Sequence, residues 1–352
     1  MELNKLLNRD IACSCGRVHR CDIDVVDIGR GAIDRLSASA SKYENILLVA
    51  DSNTYGVCGE AVCAILGAKI NSVCIFETAD ILVPDEAAIA AVRAKMTPAT
   101  DLILGIGSGV INDISKILAH RTNHPYIIVA SAAYMDGYAS GTSSMALGGV
   151  KVTVKAKAPE VIIGDLDILS GAPVHMAKAG LGDMLAKYIA ICEWRISNLI
   201  NGEYYCEQVA QLIRNALKKC VDNAAGLLQR DEKAIEAVFE GLVIGGIAMA
   251  YAGVSRPASG VEHYFSHIWD MRGLEFGSRV DLHGIQCAVA TLQAVKLYES
   301  IKRLKPDAEK AKAFVDGFSY EAWKEQLRSF LGSSAETMIA QEAREGKYDM
   351  CL

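Results

Sequence analysis

The spacing of apolar positions divides the chain into two unlike halves. In the first, unbroken apolar runs at 45–51, 71–76, 101–104 and 126–130 read as strands, and the stretches 54–66 and 85–96 between them have helical spacing. Runs without polar alternation are covered on both faces, and strands separated by helices need crossover connections. This half therefore predicts a parallel sheet flanked by helices. After Ala172 the strand signal fades, and helical spacing covers 183–200, 204–229, 231–253, 283–303 and 308–331. The pattern predicts an α/β N-terminal domain (1–168) and an all-helical C-terminal domain (169–352), the boundary falling in 165–175. No linker separates them, so the halves are expected to pack around a cleft. Near the N-terminus, alternation around Gly16 predicts a hairpin of 11–15 with 19–28.

Composition narrows the class. The 352 residues are 51% hydrophobic and 22% charged, as in a globular enzyme, and the net charge of -6 argues against a nucleic-acid partner. No apolar run approaches the ~20 residues of a membrane span, and the N-terminus lacks a signal-peptide core, which predicts a cytoplasmic protein. The eleven cysteines, among them Cys63, Cys74, Cys192 and Cys287, are scattered through apolar segments as small buried hydrophobes, and their odd number predicts free thiols. Cys13, Cys15, His19 and Cys21 offer four zinc donors within nine residues. One residue separates Cys13 from Cys15 where zinc motifs have two to four, and no second knuckle follows, so the hairpin reading is preferred.

Three separated residues carry the candidate chemistry. Asp183 follows glycines in Ala-Gly-Leu-Gly-Asp (179–183), which places it in or near a first helical turn. His263 and His267 lie on one face of a helix entered through Pro257 and Gly260, and His283 heads another apolar stretch. One aspartate and two histidines would leave a divalent ion open positions for substrate, whereas a histidine beside a helix start is also a common capping residue. Gly105-Ile-Gly107-Ser108-Gly109, with Asp113 and Lys116 downstream, follows a strand and opens a helix. It reads equally as a phosphate cradle or a tight turn, because the third glycine of the dinucleotide fingerprint would be Val110. Asp51, ending its strand, suits an adenosine ribose or a helix cap. The loop from Ser131 through Asp136 to Ser144 lies where α/β proteins place ligand contacts, and a hairpin over 148–155 carries Lys151 and Lys155 towards the same edge, with Arg256 a further cation.

In this order, Gly-Ile-Gly-Ser-Gly-Val-Ile-Asn-Asp (105–113), Met-Asp-Gly-Tyr-Ala-Ser (135–140), Ala-Gly-Leu-Gly-Asp-Met-Leu-Ala-Lys (179–187), Ser-Arg-Pro-Ala-Ser-Gly-Val-Glu-His-Tyr-Phe-Ser-His (255–267) and His-Gly-Ile-Gln (283–286) resemble the bacterial branch of the sn-glycerol-1-phosphate dehydrogenases. That family belongs to the superfamily of iron-type alcohol dehydrogenases, glycerol dehydrogenases and dehydroquinate synthases. Cys-Ser-Cys-Gly-Arg-Val-His (13–19) also resembles that branch. The resemblance implies a dehydroquinate synthase-like fold and NAD(P)-linked interconversion of dihydroxyacetone phosphate and sn-glycerol 1-phosphate, in phospholipid metabolism. By motif it implies Asp183, His263 and His283 as ligands of zinc, nickel or iron, and His267 as proton relay. Asp136 would lie beside substrate and nicotinamide; Asp51, Gly107, Ser108, Gly109, Asp113 and Ser131 would meet the cofactor. Asp51 favours NAD over NADP, since a carboxylate repels a 2′-phosphate. Lys151 and Arg256 are candidates for the substrate phosphate, and a homodimer is expected. A polyol dehydrogenase, a dehydroquinate synthase-like cyclase and a non-catalytic nucleotide or metal sensor are the alternatives.

Overall fold

The structure is a computed structural model and describes residues 3–77, 82–147 and 150–345. The strands are β1 (Ile11–Ala12), β2 (Val18–His19), β3 (Val25–Gly29), β4 (Ile46–Asp51), β5 (Ile70–Phe76), β6 (Leu102–Gly107), β7 (Tyr126–Ala130), β8 (Thr142–Leu147), β9 (Val150–Lys155) and β10 (Val161–Asp165). Helices α1 (Leu36–Ser39), α2 (Ser52–Leu66), α3 (Glu86–Arg93), α4 (Gly109–Thr122) and α5 (Leu166–Gly171) intersperse them. After the last strand come α6 (Val174–Asn201), α7 (Glu207–Asn223), α8 (Glu232–Ala252), α9 (Val261–Phe276), α10 (His283–Ile301), α11 (Ala308–Asp316), α12 (Tyr320–Leu331) and α13 (Ser334–Glu345).

Six strands form one all-parallel sheet in the order β3-β10-β7-β6-β4-β5. Its inner strands β10, β7, β6 and β4 are buried on both faces and carry almost no polar residue before their carboxyl ends, whereas the edge strands β3 and β5 admit Asp27, Asn71 and Ser72. Leu47, Val49, Ile103 and Ile128 point into a core shared with α6 and α8, and Ile46, Leu48, Leu104, Ile127 and Ile163 into a second core under α2. The helical half thus packs directly on the sheet. The chain runs from β4 outward to β5 and returns to β6 on the other side of β4, so the carboxyl ends of β4 and β6 flank a topological switch point.

Several expectations are corrected. Residues 19–28 do not form one hairpin arm: β2 pairs with β1 over two residues, and β3 joins the central sheet. The strand β10 was not foreseen, because its short apolar run abuts the expected boundary. The 308–331 stretch breaks at Gly317 into α11 and α12, and α13 follows. The hairpin expected over 148–155 spans β8 and β9; its tip, Gly148–Gly149, lies outside the described residues. Contrary to the membrane expectation, α8 is long and apolar enough to cross a bilayer, but 83% of its most apolar window is buried inside the protein, as a central core helix requires.

Candidate active site

Three helices bring the candidate ligands together. Asp183 is not in a first turn. It sits ten residues into α6, because the glycines before it continue the helix and serve close packing. A side chain on Gly182 would overlap the Gly284 carbonyl oxygen, and one on Gly284 would overlap that of Ala179, so α6 and α10 touch backbone to backbone where Asp183 and His283 meet. His263 lies in the first turn of α9 and His283 opens α10. The His263 and His283 rings are 5.0 Å apart, and His263 Nε2 is 3.8 Å from Asp183 Oδ1. That gap is close to the ~3.4 Å between two donors each about 2.1 Å from one ion.

Neighbouring side chains fix which imidazole nitrogen is free. His263 Nδ1 donates to Glu262 Oε1 at 2.8 Å. The Ser266 hydroxyl donates to Gln286 Oε1 at 2.7 Å, so its oxygen accepts from His283 Nδ1 at 2.8 Å. With both Nδ1 atoms engaged, the Nε2 atoms are the ones left to bind an ion; burial opposes the charge of His263, but Cys287, Glu262 and Asp183 raise its pKa well above the ordinary value, so an ion binding there displaces a proton. Gln286 Nε2 donates to Asp270 Oδ1 at 2.9 Å, and Asp270 pairs with Lys151, so the chain of contacts ends on a cation at the edge of the centre. Such partners orient metal-binding histidines. Two imidazole nitrogens and one carboxylate oxygen suit zinc, nickel or ferrous iron.

The carboxylates are held by a fully buried lysine. Lys187 Nζ lies 3.0 Å from Asp183 Oδ1 and 2.7 Å from Asp136 Oδ2, and the Asp136 N–H donates to Asp183 Oδ2 at 2.9 Å. The Asp136 contact is an ion pair outside hydrogen-bonding geometry. Burial alone would raise the Asp183 pKa, but Lys187, His283 and His263 outweigh it and bring it down to about 2. Burial and the neighbouring Asp183 raise that of Asp136. Of the two carboxyls, Asp136 therefore holds a proton more readily. Half-buried His267 has ring centroids 6.4 Å from His263 and 6.3 Å from His283; burial, then Lys151 and His263, lower its pKa to about 4, so it is a neutral imidazole.

The expected cofactor residues gather at the switch point. Ser108 caps α4 without a side-chain hydrogen bond to the helix, leaving that end open to a phosphate. Packing also explains the flanking glycines, since a Cβ on Gly107 would press on Ile111 and one on Gly109 on Tyr134. Ser131 N–H donates to Gly107 O at 3.0 Å, joining the β7 loop to the cradle. Asp51 caps α2 by accepting from Thr54 N–H at 2.8 Å. Asp113 faces buried Lys116 at 3.3 Å, and Lys116 donates to the Gly137 and Thr142 carbonyls, pinning the Asp136 loop.

Arg256 is placed elsewhere. Its Nε donates to Glu203 at 2.9 Å, and Glu203 accepts from Ser197, four turns of α6 or roughly 20 Å beyond Asp183. That is more than one triose phosphate away. Sequence reasoning passed over Lys187, Glu262, Ser266 and Gln286, although Lys187 stands one turn after Asp183 and Glu262 adjoins His263. It took Cys287 for a small buried hydrophobe; the thiol is buried, and it lies 3.6 Å from His283 Nε2, one turn along α10.

A family model for iron-containing alcohol dehydrogenase matches residues 27–173. The fold is that of a probable glycerol dehydrogenase from Sinorhizobium meliloti, with a TM-score of 0.63 at 18% identity over 83% of this chain and 79% of the other. Residues 27–173 thus match the iron-containing alcohol dehydrogenase model, and the fold is shared with a member of that class. The chain is 33% identical to a glycerol-1-phosphate dehydrogenase [NAD(P)+] of Halalkalibacterium halodurans, over 83% of this chain and 75% of the relative. To that of Methanosarcina mazei it is 35% identical, over 72% and 70%. The chain belongs to the glycerol-1-phosphate dehydrogenase family.

Proposed function

We propose that the chain reduces dihydroxyacetone phosphate to sn-glycerol 1-phosphate with NADH or NADPH, at one divalent ion held by Asp183, His263 and His283. The observation that carries this reading is the convergence of those residues from three helices, with both Nδ1 atoms already engaged by neighbouring side chains. When bound, the ion supplies Lewis-acid polarisation of the substrate carbonyl, and the nicotinamide supplies hydride. Lys187 keeps Asp183 ionised and Asp136 in place. Asp136 and neutral His267 are the groups that hold and pass the proton the product oxygen needs. Lys151, beside the histidines and paired with Asp270, is the cation for the substrate phosphate; Arg256, paired with Glu203 near the far end of α6, is left out of that role.

The open N-terminus of α4, with Gly107, Ser108 and Gly109, receives the cofactor pyrophosphate, and Ser131 and Asp113 adjoin it. Asp51 faces the ribose and favours NAD. The ion is zinc, nickel or iron according to supply. Ten described cysteines are free, in keeping with a cytoplasmic enzyme. Exposed Val289, Leu292 and Val295 on α10 are suited to a homodimer contact. The product would enter phospholipid synthesis.

The test is turnover of the metal-stripped chain given Zn²⁺ or Ni²⁺ with NADH or NADPH. Substrates are dihydroxyacetone phosphate, dihydroxyacetone and glyceraldehyde phosphate. Dihydroxyacetone phosphate should be reduced with the highest kcat/KM. Preference for dihydroxyacetone would make the chain a polyol dehydrogenase, and nucleotide binding without turnover on any of them would make it a sensor.

A further inference from the structure

A second cluster of metal donors lies outside this centre. The thiols of Cys13, Cys15 and Cys206 and the His19 imidazole meet with all four donor atoms within 4.8 Å of one another. The fourth donor is not Cys21, the neighbour in sequence, but Cys206, the residue that caps α7 more than 180 positions away. Cys13 Sγ lies 3.5 Å from Cys206 Sγ; His19 Nε2 lies 3.5 Å from both Cys15 Sγ and Cys206 Sγ.

These three separations match edges of a coordination tetrahedron. Donors at about 2.3 Å (sulfur) and about 2.0 Å (nitrogen) from one zinc ion stand about 3.7 Å apart for two sulfurs and about 3.5 Å for sulfur and nitrogen. A disulfide would need about 2.05 Å. His19 Nδ1 lies 2.8 Å from the Tyr251 carbonyl oxygen, which can only accept. Nδ1 therefore carries the proton, and Nε2 turns its lone pair to the thiols. The ring also stacks on Tyr251 at 5.3 Å, so its orientation is held from two sides.

The tight spacing of Cys13 and Cys15 is no obstacle. Gly16 adopts φ +83, its N–H donates to the Cys13 carbonyl at 3.0 Å, and Cys13 N–H donates to the Arg17 carbonyl at 3.1 Å. A turn closed in this way brings both sulfurs to one side, which extended backbone with one intervening residue would not. The Tyr204 hydroxyl lies 3.3 Å from Cys15 Sγ, and Arg17 covers the Tyr204 ring at 3.4 Å. Three thiolates around a dication carry one net negative charge, and a hydroxyl donor and a guanidinium stand beside it.

We propose that Cys13, Cys15, His19 and Cys206 bind a structural zinc ion, distinct from the ion at Asp183. Four protein donors complete the tetrahedron and leave no position for substrate. Binding releases the thiol protons to solvent and ties the β1–β2 hairpin to the start of α7, with the His19–Tyr251 contact extending the tie to α8.

The test is zinc content and zinc-edge X-ray absorption of protein purified under reducing conditions, comparing the intact chain with His263→Ala and Cys206→Ser. His263→Ala, with the Asp183 centre disabled, should keep one equivalent of zinc with three sulfurs and one nitrogen in its shell. Cys206→Ser should lose that sulfur-bound equivalent and unfold at a lower temperature. If either variant fails to fold, Co²⁺ substituted into the intact chain should give the thiolate-to-cobalt charge-transfer band of a tetrahedral site. Zinc bound by nitrogen and oxygen alone, a metal-free thiol cluster, a Cys13–Cys206 disulfide, or intact chain with no thiolate band would overturn the proposal.

Discussion

Around Asp183, a carboxylate and two imidazoles come from the interiors and ends of three long helices; around Cys206, three thiols and an imidazole come from a two-residue hairpin and a helix cap. In both, a hydrogen bond from Nδ1 of a histidine leaves Nε2 free. The difference is in what completes the shell. The thiol cluster supplies four donors and closes. The Asp183 centre supplies three, spends a buried lysine on keeping the Asp183 carboxylate charged, and has half-buried His267 and His283 on its accessible side. An enzyme that needs a fixed hairpin and an open reaction centre separates the two tasks by donor type and number.

The largest effect that would break this comparison is His263→Ala. It removes an ion ligand, so turnover of dihydroxyacetone phosphate should fall at least about 10³-fold, of the order expected when a catalytic group is lost. Circular dichroism and NADH binding should stay intact, and near-normal turnover with added metal would remove His263 from the centre. Next comes Lys187→Met, which leaves two buried carboxylates facing each other. We expect about 3–5 kcal/mol of destabilisation by urea unfolding of the metal-free chain, and less once the ion supplies the missing positive charge. Equal loss with and without metal would mean that Lys187 supports packing alone.

Gly284→Ala should follow, because its methyl group would meet the Ala179 carbonyl and push α10 from α6. A cost of about 1–3 kcal/mol in thermal unfolding, with weaker metal binding at Asp183 and unchanged zinc at the thiol cluster, is the expected pattern. Loss of both metals together would show one cooperative unit where two centres are described. Lys151→Ala should raise KM for dihydroxyacetone phosphate roughly tenfold, the loss of one charge-assisted contact, whereas Arg256→Ala leaves KM near its original value. The reverse ranking would move the phosphate site.

The smallest effect concerns a carboxylate away from both centres. Burial opposes the charge of Glu160, but the Tyr43 hydroxyl at 2.7 Å and the cations Lys42 and Lys157 prevail and lower its pKa. A pKa depressed by folding adds stability above the unfolded value of about 4.3 and loses it as pH falls through the folded value. Glu160→Gln should therefore reduce the stability difference between about pH 6 and about pH 3 by less than about 1 kcal/mol, read from urea midpoints, with no change in either metal.

The centre of the parallel sheet was legible because doubly buried strands are unbroken apolar runs, and Ile46 to Ala50 or Ile103 to Ile106 need no partner to be recognised. The ligand trio was legible as local contexts. Its geometry was not, since glycines 180 and 182 look like helix breakers until the close approach of Gly180 to the Ala133 carbonyl and of Gly182 to α10 is seen. Lys187 escaped because a lysine one turn from an aspartate usually marks a solvated face. The thiol site was hidden for a different reason: three donors are adjacent in sequence, but Cys206 joins them only through the packing of α7 on the N-terminal hairpin, and no spacing rule reaches that far. Arg256 shows the opposite error. Nearness in sequence to His263 was taken for nearness in space, while α6 carries its partner Glu203 away.

The most direct test of the central claim is turnover of dihydroxyacetone phosphate followed as a mild chelator removes metal from the enzyme and Zn²⁺ or Ni²⁺ is returned. The account predicts that activity falls to background with the first equivalent lost, while the sulfur-bound zinc stays in place, and that it returns in proportion to one equivalent re-bound. Full activity in protein whose Asp183, His263 and His283 hold no ion would contradict it.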